Sequence, residues 1–134
     1  MVDRAELIHR LNEIRQAVAY LKKMTASLLD EKEKFLLGRY YLQIAVEAML
    51  AVANQIIANE GWRKPSTYRE ALEILAEERV LPPQLTKRLK PQVDLRNRLV
   101  HTYWKITKEE LLALRRESVE TLGQFLRAIL RYLK

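Results

Sequence analysis

The chain of 134 residues has no cysteine, three glycines, four prolines and two histidines. Without cysteine there is no disulfide framework, no thiolate metal site and no thiol nucleophile, and a reducing cytoplasm is the expected compartment. So few glycines and prolines argue against a turn-rich β protein. A long uninterrupted apolar run is also missing. The least charged stretch, Tyr40 to Ala58, approaches the length of a membrane span but carries Gln43, Glu47, Asn54 and Gln55. It reads as a helix covered by protein, and no membrane association is expected. Asp3, Arg4, Glu6 and His9 interrupt the N-terminus, so no secretory signal is expected either. No glycine-rich phosphate loop is present, which argues against a chain that itself activates a nucleotide. Glu47 is an acid without a carboxylate neighbour in sequence, and no metal or cofactor is expected.

What is present favours helix. Apolar residues make up 49% and charged residues 31% of a chain rich in leucine, alanine, glutamate and arginine. The length fits one domain over residues 1–134. The formal charge of +7 favours an anionic partner, such as RNA, DNA or an acidic protein surface.

Five helical segments can be read. Asp3 is a suitable N-cap for the first, expected to reach about Leu29, with Leu7, Leu11, Ile14, Val18, Leu21 and Leu28 forming a seam of 3-4 spacing. Asp30 is the expected cap of the second, which continues to about Asn59 before Gly61 ends it. That helix carries two apolar stripes. Phe35, Leu42, Val46, Met49, Ala53 and Ile56 suit the bundle core; Leu37, Ile44, Ala48 and Ala51 need another cover, for which a homodimer interface is the natural candidate. A polar line of Tyr40, Gln43, Glu47 and Asn54 reads equally well as interface hydrogen bonding or as support for a cleft. Thr67-x-x-Glu70 and Thr107-x-x-Glu110 have the capping-box pattern, opening a third helix to about Arg79 and a last one to the C-terminus. Pro82 or Pro83 suits the first turn of the fourth helix, which Pro91 is expected to kink or divide. The predicted architecture is an all-α, up-and-down bundle of four to five helices, one of them broken near Pro91.

The chemistry concentrates in Arg96-Asn97-Arg98-Leu99-Val100-His101-Thr102-Tyr103. His101 has a side chain suited to proton transfer near neutrality. Arg96 can hold a phosphate with its planar fork. Residues five apart on a straight helix lie about 140° apart and about 7.5 Å along the axis. Arg96 and His101 therefore converge only if the helix ends or distorts near Val100, or if the arginine curls round. Asn97 is a candidate to orient His101 or a phosphate, and Arg98 to face RNA or pair with Asp94. His9 reads as a surface residue, and Trp62 and Trp104 as packing anchors beside helix ends.

Arg96-x4-His101-x-Tyr103 resembles the Arg-x4-His-x-Tyr motif of the HepT toxins, a branch of the HEPN superfamily of helical ribonuclease domains. Tyr40-Tyr-Leu-Gln-Ile-Ala-Val-Glu47 followed by Ala-Val-Ala-Asn54 is similar to the family's second helix, and Leu95 to Trp104 to its signature segment. The resemblance implies a homodimeric HEPN-like bundle with Arg96 and His101 in a cleft between protomers. It implies metal-independent RNA cleavage by those two residues, with Asn97 and Arg98 in support. It also implies a partner antitoxin of the minimal nucleotidyltransferase type, which transfers AMP from ATP to Tyr103 and silences the toxin. Two other readings keep their place beside this one. One is a non-catalytic helical partner that binds and regulates a nucleotidyltransferase; the other is a helical dimer that binds nucleic acid or small anions through its basic surface.

Overall fold

A computed structural model describes residues 4–134; the expected cap at Asp3 lies outside them. Five α-helices account for most of these residues: α1 (Arg4–Lys22), α2 (Lys32–Glu60), α3 (Tyr68–Glu77), α4 (Pro83–His101) and α5 (Lys108–Leu133). Short 3-10 turns at Leu28–Asp30 and Tyr103–Lys105 precede α2 and α5. No strand occurs among the described residues.

α2 is the central element. It packs most extensively on α1 and also touches α3, α4 and α5. Leu42, Met49, Ile56 and Ile57 of α2 are fully buried together with Ile14 and Leu21 of α1, Leu72 and Leu75 of α3, Leu89 of α4 and Phe125 of α5. At roughly 1.5–3 kcal/mol per buried large apolar side chain, this shared core is the main term holding the bundle together. Gly38 lets α2 come close to its neighbours: a Cβ there would lie 2.5 Å from Met24 Cε and 3.2 Å from Leu111 Cδ2. α2 is also the one described helix long and apolar enough to cross a membrane, but 56% of its most apolar window is buried inside the fold.

Local signals set most helix ends. Gly61 closes α2 at φ 71°, with its own N–H and that of Trp62 bonded back to Ala58 and Ile57. Thr67 and Thr107 accept hydrogen bonds from the amides of Glu70 and Glu110, as their capping patterns require. The return arm at α3 is displaced by one residue, because Glu70 accepts from Ser66 N (2.7 Å) rather than from the cap amide. That contact, aided by Arg63, holds the Glu70 carboxyl below its usual range. α3 stops at Glu77, slightly short of the expected end. Arg79 adopts the left-handed conformation at φ 63°, and Val80 N returns to Leu75 O, so an arginine fills the place usually taken by glycine.

Three expectations need correction. α1 ends at Lys22 and does not run to Leu29. Thr25 Oγ1 accepts from Leu28 N and bonds Ser27 Oγ, and such hydroxyl contacts compete with helix continuation. Leu28 is consequently 36% exposed while Met24 and Leu29 fill the core. Asp30 does not cap α2; Glu31 occupies that position without a side-chain bond, and the Asp30 carboxylate pairs with Lys108. Finally, α4 runs undivided through Pro91. Proline removes one amide donor and crowds the carbonyl four residues back, here that of Lys87. Both residues are exposed, so water can serve the freed carbonyl.

Candidate active site

The last turn of α4 and the short turn after it carry the candidate residues. Buried Leu95 and Leu99 fix the helix against the core, which leaves Arg96 half-buried and Asn97 and His101 exposed. The helix ends at Thr102, whose amide and hydroxyl both bond Arg98 O. The chain then turns through Tyr103–Lys105 before Ile106 re-enters the core.

Arg96 is held on three sides. Its Nε lies 3.6 Å from Glu47 Oε1 on α2, its Nη1 donates to Asn97 Oδ1 at 3.3 Å, and its guanidinium carbon sits 5.9 Å from the centre of the Tyr68 ring. Such restraint lowers the entropy cost of presenting a planar fork to an anion. His101 takes no hydrogen bond among the described residues. Because α4 is helical as far as His101, Arg96 and His101 lie five residues apart at one helix end, and no hydrogen bond joins them among the described residues.

The other candidates sort differently. Arg98 is not paired with Asp94. Its two Nη atoms bind the carboxylate of Glu110 at 2.6 and 2.7 Å, while Asp94 pairs with Arg69 of α3. This bidentate bond staples the end of α4 to the start of α5 across the intervening turn. It lowers the Glu110 pKa and raises that of Arg98, chiefly through the hydrogen bond, with burial opposing the shift and the opposite charge adding to it. Tyr103 is 49% exposed, with Arg39 as its principal partner. Arg39 Nη1 donates to Tyr103 O at 2.8 Å, and the guanidinium stacks between the Phe35 and Tyr103 rings at 5.2 and 4.9 Å. Trp104 is no packing anchor: it is 64% exposed and meets Tyr103 edge-on at 5.5 Å, because Ile106 takes the core position. Trp62 does pack against the core, and His9 lies on the surface 4.0 Å from Glu13.

Sequence reasoning placed Glu47 on the polar line of α2 but did not find its partner. Arg39 and Tyr68 were missed altogether, since neither stands near the motif and each resembles an ordinary surface residue. Leu36, Leu37 and Tyr40 on α2 remain 42%, 38% and 56% exposed, whereas Ala48 of the second stripe is buried within the chain. The second stripe is thus covered internally along part of its length.

Comparison with known proteins gives this geometry a family. Residues 7–129 match the family model described as ribonuclease HepT-like. A tRNA nuclease HepT of Aphanizomenon flos-aquae is 33% identical over 98 residues, covering 70% of this chain and 67% of that protein. An mRNA nuclease HepT of Shewanella oneidensis is 24% identical over 126 residues, covering 92% and 95%. The solved structure of a tri-AMPylated Shewanella oneidensis HEPN toxin, in complex with an MNT antitoxin, superposes with a TM-score of 0.83 at 22% identity, over 98% of this chain and 99% of that one. The match of nearly the whole chain to one family model, with a relative one-third identical, shows that this protein belongs to the HepT-like ribonuclease family.

Proposed function

We propose that this protein is the ribonuclease toxin of a toxin–antitoxin pair, cutting RNA without a metal through Arg96 and His101. The single observation that carries this reading is the exposed end of α4. There Arg96, steadied by Glu47, Asn97 and Tyr68, and an exposed His101 stand beside the exposed Tyr103 in a chain of the HepT-like family. Cleavage requires removal of the ribose 2′-hydroxyl proton and formation of the 2′-oxygen–phosphorus bond. The bond from phosphorus to the 5′-oxygen then breaks as that oxygen takes up a proton. His101 serves proton transfer, and Arg96 stabilises the charge gathering on the phosphoryl oxygens. One histidine does not comfortably fill both proton roles. A two-fold homodimer brings a second His101 to the same cleft, and the exposed Leu37 and part-exposed Ile44 of the second α2 stripe supply apolar surface for that contact. Asn97 supports the site through Arg96. Arg98 supports it by fixing the helix end to α5.

The partner is a minimal nucleotidyltransferase antitoxin, the kind of protein bound to the Shewanella toxin above. In the proposed silencing step, the Tyr103 phenol oxygen bonds to the α-phosphorus of ATP, pyrophosphate leaves, and the phenol proton is released. The adduct places bulk and negative charge beside the catalytic cleft. A cytoplasmic location is part of the same proposal.

The test is RNA cleavage in EDTA by protein whose unmodified state is verified by intact mass, beside His101→Ala. The wild type is expected to cut, and the variant to lose roughly 10²-fold or more, the usual contribution of positioned proton transfer. Equal cleavage by both would refute the role of His101. Cleavage by neither would favour a non-catalytic subunit that regulates a nucleotidyltransferase.

A further inference from the structure

A cavity of about 320 Å³ opens beside Tyr103 between α2 and the end of α4. Leu36, Leu99 and Val100 give it apolar walls, Tyr40 and Gln43 supply polar edges, and Arg39 and Tyr103 complete the lining. Its volume falls at the lower end of the range for small-ligand sites. Arg39 is the one charged side chain in that lining, and no carboxylate accompanies it. Its guanidinium is oriented by the Phe35 and Tyr103 rings and by the Tyr103 carbonyl, while its buried Nε has no hydrogen-bond partner. An oriented arginine without an anion, at the mouth of an aromatic-edged cavity, is the chemistry that recognises a nucleoside monophosphate.

We propose that this cavity is an AMP subsite, in which Arg39 pairs with the phosphate and Tyr40 lies against the base of the AMP joined to Tyr103. The inference rests on the reading of Tyr103 as the AMP acceptor. It adds that the silenced form is held in cis by a pocket of the toxin itself, separate from Arg96 and His101. Because Arg39 already grips the Tyr103 carbonyl, it couples the position of the acceptor turn to occupancy of the pocket.

The test is an NMR titration of the unmodified wild-type protein with AMP and, separately, with adenosine, following the Arg39 Nε–Hε resonance and the amides of Tyr40 and Tyr103. AMP is expected to move these signals and to bind about tenfold more tightly than adenosine, the effect of one charge-assisted contact. Arg39→Gln should remove that preference, and Arg39→Lys should keep part of it. Equal titration by AMP and adenosine, or shifts centred on Arg96 and His101, would overturn the proposal without relying on any variant. The acceptor reading fails by a different signal: an intact mass that stays unmodified after incubation with ATP, Mg²⁺ and the partner nucleotidyltransferase.

Discussion

Glu47→Ala tests whether the restraint on Arg96 serves cleavage. The Nε–Oε1 separation is 3.6 Å, with the two side chains 26% and 44% exposed. Two unit charges at that distance attract by about 1 kcal/mol in water and about 5 kcal/mol at an effective dielectric constant near 20. Partial exposure, solvent screening and the cost of ordering two long side chains bring the net value to about 1 kcal/mol. If all of it orients Arg96 for the transition state, removing the carboxylate lowers kcat/KM about fivefold. Glu47→Gln keeps a polar contact and should lie between the alanine variant and the wild type. The assay is cleavage of a short RNA with a single site, in EDTA and at low ionic strength, where surface ion pairs count most. A rate equal to or above wild type would refute the argument. It would mean that Glu47 competes with the RNA phosphate for Arg96 and does not position it.

Two further predictions concern the frame behind the site. Arg98 holds the Glu110 carboxyl below its usual range, so this pair stabilises the fold above the unfolded pKa of about 4.3 and ceases to do so as pH falls through the lower folded value. Glu110→Gln should therefore cost about 0.5–1 kcal/mol in urea unfolding at pH 7, with the deficit shrinking toward pH 3; a deficit independent of pH would contradict the assignment. Ser118 Oγ donates to Gln92 Oε1 at 2.9 Å between α5 and α4, both residues being almost wholly buried. Ser118→Ala should lose about 1–3 kcal/mol by stranding the amide oxygen, and adding Gln92→Leu should recover part of that loss; a double variant as unstable as the sum of the two would argue against coupling.

Much of this frame was legible in the sequence because its determinants are local. Thr67, Thr107 and Gly61 act within one turn of where they stand, and the buried stripe from Leu42 to Ile56 needs only helical periodicity. The misreadings arose where a competing contact was out of sight. Thr25 and Ser27 look compatible with a continuing helix until their hydroxyls are seen bonding to the turn. Asp30 looks like a cap until Lys108, distant in sequence, takes its carboxylate. Pro91 looks like a break, but its position on the exposed side leaves the freed carbonyl within reach of water. Asp94 is an apt partner for Arg98 on one helix, yet both are drawn away by neighbouring helices.

The site divides along the same line. Arg96, His101 and Tyr103 stand out because their spacing belongs to a single segment, whereas Glu47, Tyr68 and Arg39 gain meaning only when α2 and α3 pack beside α4. The intact helix also sharpens the argument for two copies. With α4 regular to His101, Arg96 points toward α2 and Tyr68, while His101 projects from the helix end without a partner among the described residues. A catalytic phosphate gripped by Arg96 in one protomer is thus poorly served by the histidine of the same helix. The exposed Leu37 and part-exposed Ile44 belong to the α2 stripe on which the proposed dimer would bring the missing imidazole into place. On this view the regular helix that separates Arg96 from His101 within one chain is a reason to expect the proposed dimer.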